Sequence, residues 1–256
     1  MSDMDVKTYV FQKSDLVDGY IEAQDALTFA TLLEHQTTAK IQGSLLEIGV
    51  FFGRSLFLLD ILRQPGEDIL AVDLFQNTDG SSRQPAIMSN AKILKRNINE
   101  SNFLKADSTT LSASDISNRI GAPRFSHIDG GHDYETVLAD ANLCADAMQE
   151  AGIIVFDDFL NPTWPEVTAA AYTFFKERTD FRPFATTRNK LYACKRDFAE
   201  SYAKTVRQSS YLRKLDMETV SFFGDQITHI RFDNKRRVLY EAMRRLKLRV
   251  FAARLF

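Results

Sequence analysis

Leu45-Leu46-Glu47-Ile48-Gly49-Val50-Phe51-Phe52-Gly53-Arg54-Ser55 reads as a strand that passes through two glycines directly into a helix. Gly49 and Gly53 permit a tight turn and a close approach by a ligand, and the helix start beyond them offers unpaired N–H groups. Outward from this stretch, as far as Lys195, short β-rich runs alternate with longer helical patterns, the signature of repeated βαβ units. Strands are predicted near 45–49, 69–74, 102–107, 124–129 and 152–157, and helices near 54–63, 86–98, 112–119, 134–149 and 165–178. Apolar runs such as Ile69-Leu70-Ala71-Val72 and Ile153-Ile154-Val155-Phe156 suit strands covered on both faces. A last pair, 181–186 and 190–195, is separated only by Thr187-Arg188-Asn189. So short a connection excludes a parallel crossover and implies an antiparallel hairpin. The expected fold is therefore α/β: a doubly wound, mostly parallel, seven-stranded sheet with an antiparallel edge hairpin.

Residues 18–41 read as a helix that leads into the first strand and caps the sheet or the pocket, with Leu27, Ala30 and Leu33 at helical spacing. After Phe198 the alternation stops. Residues 199–256 are rich in Arg, Lys, Leu and Ala with one break around Phe223-Gly224-Asp225, so the expected organisation is a domain over 1–198 and a helical, basic C-terminal appendage over 199–256.

The 256 residues, 45% of them hydrophobic, suffice to bury a core. The acidic start Met-Ser-Asp-Met-Asp does not resemble a signal peptide, and no apolar stretch approaches the ~20 residues of a membrane span. Cys144 and Cys194 have neither metal-ligand nor disulfide spacing and are expected to be reduced core thiols, consistent with a cytoplasmic location. The net charge of −2 hides an asymmetry: residues 231–256 hold nine Lys or Arg against Asp233 and Glu241, a net +7, which leaves −9 on the rest. An acidic body with a basic tail is not expected to bind nucleic acid generally. In that tail Leu239, Met243, Leu246, Val250 and Ala253 form an apolar helical stripe. Such a stripe packs on its own domain or on a second subunit, giving a homo-oligomer, in preference to lying on an anionic membrane surface.

Two strand-like runs finish in acid: Arg124-Phe125-Ser126-His127-Ile128-Asp129, continuing Gly130-Gly131-His132, and Ile153-Ile154-Val155-Phe156-Asp157-Asp158. As neighbouring parallel strands they would gather Asp129, His132, Asp157 and Asp158 at one sheet edge, where three carboxylates can hold a hard cation such as Mg²⁺. Such an ion lowers the pKa of a bound hydroxyl, and His132, whose side-chain type has an ordinary pKa of ~6.5, can take the proton. His132 could instead merely open the next helix. His127, alternating with Asp129, reads as a core histidine, whereas Trp164 stands either at the pocket mouth or in the core. The polar loop 76–82 is a lid or a plain surface loop.

At the other end of the pocket, Gly49 and Gly53 are spaced Gly-x-x-x-Gly, not as the Gly-x-Gly-x-x-Gly dinucleotide fingerprint, which counts against a nicotinamide dehydrogenase. Glu47 suits a cationic ligand or its amino group, and Asp73, ending Ala71-Val72-Asp73, is placed to accept ribose hydroxyls. Asp107 and Ser108 end the third run, where they contact an adenine or cap a helix.

These residues resemble the class I S-adenosylmethionine-dependent methyltransferases. Glu-Ile-Gly-Val-Phe-x-Gly-x-Ser, from Glu47 to Ser55, is similar to the opening motif of metal-dependent O-methyltransferases of the caffeoyl-CoA and catechol type. Ile128-Asp129-Gly-x-His132-x-Tyr134 and Asp157-Asp158 look like the macrocin O-methyltransferase branch, which modifies sugars on natural products. The resemblance spans roughly residues 20–198. It implies a Rossmann-like methyltransferase fold, S-adenosylmethionine at Glu47, Gly49, Gly53, Ser55, Asp73, Asp107 and Ser108, a divalent cation, expected to be Mg²⁺, at Asp129, Asp157 and Asp158, and catalysis by His132 with Asp129. The implied reaction is methyl transfer to a hydroxyl of a small sugar, polyketide or phenolic molecule. Two alternatives stay open: a related fold member with other chemistry, such as hydroxylation, and a non-catalytic assembly or membrane-surface protein with a vestigial pocket.

Overall fold

The computed structural model describes residues 5–232, 234–246 and 248. Five strands run parallel: β1 (Ser44–Ile48), β2 (Ile69–Asp73), β3 (Phe103–Lys105), β4 (Pro123–Ile128) and β5 (Ile153–Phe156). β6 (Phe181–Thr186) and β7 (Leu191–Lys195) form the expected hairpin, with β7 antiparallel to β5. Two further strands, β8 (Asp216–Phe222) and β9 (Asp225–Arg231), extend the sheet, whose order is β3-β2-β1-β4-β5-β7-β6-β9-β8.

Among the described residues the sheet thus has nine strands, not the expected seven, and the stretch after 198 is not helical throughout. Its supposed helix break at Phe223-Gly224 is a two-residue hairpin turn, with φ of 51° and 78°, the left-handed pair that matches strand twist. The strand signal is present in Val220, Phe222, Ile227 and Ile230, but the Arg- and Lys-rich composition around it obscured the alternation. β9 pairs in parallel with β6 through Ala185↔Thr228 and Thr186↔His229, so no break in the sheet coincides with residue 198.

Helices cover both faces. On one lie α2 (Ala23–Thr38), α3 (Arg54–Leu62), α4 (Gln84–Leu94) and α8 (Ala199–Gln208), packed on Leu45, Ile69, Phe125 and Val155; on the other lie α5 (Ala113–Ile120), α6 (Tyr134–Ala147) and α7 (Pro165–Glu177), packed on Leu46, Leu70, Ile128 and Ile154. Leu45 and Leu46, adjacent in sequence, serve opposite cores because strand side chains alternate. The N-terminal helix α2 is shorter than the expected 18–41, and α1 (Val6–Thr8) with further helical turns to Leu16 precedes it. In α9 (Asn234–Arg245), Met243 is buried whereas Leu239 and Leu246 are exposed; Val250 and Ala253 lie outside the described residues. Cys144 and Cys194 are free and buried. Among the described residues no helix is long and apolar enough to cross a membrane.

Candidate active site

From β1 the chain moves outward to β2 and β3, and from β4 it moves the opposite way to β5. The crevice beyond the carboxyl ends of β1 and β4 is therefore the topological switch point, where α/β sheets bind ligands. A cavity of about 1610 Å³ opens there.

Gly49, Asp73, Asp107 and Ser108 line it, as do Asp129, His132, Asp157 and Asp158. Gly49 has φ of 83°, and a Cβ on it would lie 1.8 Å from the Asp129 carbonyl oxygen, so only glycine lets the ends of β1 and β4 meet. The Asp73 carboxylate accepts from the N–H groups of Val50 (2.8 Å) and Phe75 (2.6 Å) and pairs with Arg83 at 2.9 Å. That holds an acid at the end of β2, in the position from which ribose hydroxyls are bound. Asp107 is exposed; it caps the following turn, accepting from the Thr109 N–H at 3.0 Å, and also faces the cavity.

Three expected cofactor residues do not reach the cavity. Gly53, with φ of 91°, shapes the turn into α3, and Ser55 is buried in that helix's first turn. Glu47 points into the sheet interior, fully buried, with Oε1 2.9 Å from His127 Nδ1 and Oε2 without a hydrogen-bond partner. Depth along β1 separates them: Ile48 and Gly49 stand at the strand's end beside the crevice, whereas Glu47 lies one step further in and pairs across the ladder with His127.

At the ends of β4 and β5 the side chains are charged and mutually bonded. His132 Nε2 lies 2.9 Å from Asp158 Oδ2, and its ring stacks on Trp164 at 4.3 Å between centroids. Trp164 is half-exposed at the cavity wall, so the pocket-mouth alternative describes its place. Asp158 adopts φ of 54°, a strained conformation for a non-glycine, and its Oδ1 accepts from Asn161 (2.7 Å) and Asn189 (3.0 Å). Burial opposes its charge, yet the bonds from His132, Asn161 and Asn189 hold its carboxyl below the usual range. Burial and the neighbouring Asp157 push Asp129 well above that range.

Lys190, Asn189 and Asp25 were not read from the sequence as site residues, and all line the cavity. Lys190 is buried, in contact with Asp157 Oδ2 and 3.1 Å from His127 Nε2. Burial works against its charge, but Asp157, Asp25 and Asp129 outweigh it and hold the ammonium protonated. Reciprocally, burial disfavours the Asp157 carboxylate while Lys190 and His127 hold its carboxyl far below the usual range. Burial pushes Asp25 up to about 7, with Lys190 opposing. His127 is a fully buried core histidine, as expected, and it joins Glu47 to Lys190. The one signal available in the sequence was position, since a hairpin turn feeding β7 beside β5 must place its last residues against the acids that end β5.

The three aspartates do not form one set of ligand atoms. Two overlapping groups arise instead, His127–Asp129–Asp157 and Asp129–His132–Asp158, each with donor atoms within 4.8 Å of one another. The second, two carboxylates beside an imidazole at the cavity wall, has the donor chemistry for a divalent cation.

Residues 46–159 match the model of a family described as a methyltransferase domain. No curated protein sequence matches the chain. Among solved structures, the O-methyltransferase NovP is similar with a TM-score of 0.58 at 15% identity, over 68% of this chain and 81% of that one. An O-methyltransferase from Bacillus cereus in complex with SAH gives 0.50 at 15%, over 75% and 90%. The MycE methyltransferase, in complex with Mg, SAH and mycinamycin VI, gives 0.50 at 15%, over 76% of this chain and 53% of that one. The family match runs from β1 to the β5 acids on a sheet of this topology, so this part of the chain is similar to a methyltransferase domain.

Proposed function

We propose that this enzyme methylates a hydroxyl group of a small molecule with the assistance of a divalent cation. The observation that carries the reading is that Gly49 and Asp73 line the same cavity as Asp129, His132 and Asp158. A volume of about 1610 Å³ exceeds the ~300–1,000 Å³ of an ordinary ligand pocket, leaving room for an acceptor beside the cofactor. The Mg in the MycE complex supports a metal role here.

When bound, S-adenosylmethionine supplies an electrophilic methyl group and the cation acidifies the acceptor hydroxyl. The chain's own groups do the rest. Asp73, locked by the N–H groups of Val50, Phe51 and Phe75 and by Arg83, orients the nucleoside. His132, with Nε2 on Asp158 and its ring against Trp164, keeps Nδ1 for the acceptor's proton.

The test is calorimetric binding of S-adenosylmethionine followed by turnover with and without chelator. Asp158→Ala is expected to abolish metal-dependent turnover, and His132→Gln to slow it by roughly 10²–10⁴-fold, both with cofactor affinity kept. Tight cofactor binding with chelator-insensitive turnover removes the metal role.

A further inference from the structure

Asp157 looks from the sequence like one of three equivalent metal ligands, but its surroundings differ from those of Asp158. Its Oδ1 accepts from the Asp158 N–H at 2.8 Å and from Asn189 Nδ2 at 3.0 Å. Its Oδ2 is in contact with the Lys190 ammonium, with the His127 ring 3.5 Å away on the remaining side. Lys190 itself is 1% exposed. The topology fixes the pair: β5 and β7 are antiparallel with Phe156 opposite Leu191, so Asp157 and Lys190 stand opposite each other one residue further on. Backbone bonds pin the same corner, with the Phe159 N–H on the Asn189 carbonyl at 3.0 Å and the Thr187 N–H on the Lys190 carbonyl at 2.9 Å.

We propose that Lys190 is the resident cation of Asp157 and withdraws it from metal coordination, so that Asp129 and Asp158 alone supply the protein oxygens to the divalent ion. This rests on the metal-assisted reading above. A divalent ion on Asp157 would stand beside a buried ammonium that cannot retreat into water, and like charges at such separation repel strongly where solvent is excluded. Asp158 has no such neighbour: its Oδ2 meets only His132, and it faces the same side as Asp129. Two carboxylates with the balance of the shell from water and acceptor is an ordinary arrangement for Mg²⁺. Lys190 is accordingly a positioning residue. It fixes Asp157, and through Asn189 the shared turn fixes Asp158 as well.

Mn²⁺ titrated into the full chain, read by electron paramagnetic resonance of the free ion and by calorimetry, tests this without any acceptor. Asp157→Asn alone would strand Lys190, so the informative variant is the neutral pair Asp157→Asn/Lys190→Met. It is expected to bind Mn²⁺ within about threefold of the unaltered protein, whereas Asp158→Asn or Asp129→Asn loses at least about tenfold. Lys190→Met alone is expected to bind more tightly, because it frees a carboxylate and removes a repelling charge. A neutral pair that loses Mn²⁺ as severely as Asp158→Asn overturns the assignment while leaving metal assistance standing. Absence of Mn²⁺ binding by the unaltered protein overturns both.

Discussion

Around β1 and β2 the crevice is shaped by backbone, and around β4, β5 and β7 by charge. At the first end, glycine geometry and N–H groups do the positioning: Gly49 lets two strand ends touch, and Val50 and Phe75 hold Asp73. At the second, Asp157, Lys190, His127 and Glu47 are bonded to one another out of water, and Asp158 is held by His132 and two asparagines. Backbone geometry is local and tolerates no substitution. A charge network is non-local, and its members can be exchanged in balanced pairs.

The sharpest way to break that contrast is Gly49→Ala. The added Cβ would collide with the Asp129 carbonyl at 1.8 Å, with the Asp129 and Gly130 backbone behind it, so strand ends must separate. The expected cost is more than ~4 kcal/mol, a fall in melting temperature of at least about 8 °C. Gly80→Ala is the control, because φ is 82° there but nothing lies within 4 Å of a Cβ. It should cost only the ~1–2 kcal/mol of left-handed backbone. If thermal melts show equal losses, collision is not what makes Gly49 indispensable.

The same contrast explains what was legible. The β1-turn-α3 unit, the alternation and the acids ending β2, β4 and β5 are local patterns, and the structure places Gly49, Asp73, Asp107, Ser108, Asp129, His132, Asp157 and Asp158 on one cavity. Glu47 does not reach the cavity because a motif gives a residue's position but not its partner, and the Glu47 carboxylate is taken by His127 on the neighbouring strand. Lys190 went unread because its partner lies across the β5–β7 ladder. β8 and β9 were missed because composition over a long window outweighed a short alternation.

Asp140 tests the seam between the two ends. It sits on α6 beneath the Gly130 turn, where a Cβ on Gly130 would lie 3.1 Å from its Oδ2; it is fully buried, with neither carboxylate oxygen hydrogen-bonded by geometry. Burial pushes its carboxyl from 3.8 up to about 7, the nearby Ser108 hydroxyl opposing and Asp107 and Asp133 adding to the shift. The folded chain therefore holds this proton more tightly than the unfolded one. The stability it contributes is complete below about 3.8 and is lost as pH rises through 7. Asp140→Asn should consequently stabilise the protein at pH 8 by roughly 1–3 kcal/mol, the gain fading as the pH is lowered toward 4. Melts of both proteins across that range decide it. A gain independent of pH would mean that packing, not charge, is strained at the seam.

The smallest effect is expected at Trp164. Its ring lies 4.3 Å from that of His132 with 28° between planes, a stacked pair of the kind worth ~0.5–1.5 kcal/mol. Asp158 already fixes His132 through Nε2, so the stack only narrows the remaining freedom of the imidazole. Trp164→Leu keeps an apolar wall and removes the stack. Turnover should fall by less than about tenfold, far less than with His132→Gln, with cofactor affinity unchanged and the His132 ring proton resonances shifted downfield as the indole ring current disappears. A loss as large as that of His132→Gln would mean that packing supplies the positioning of this histidine, and the reacting end would then depend on more than its charges.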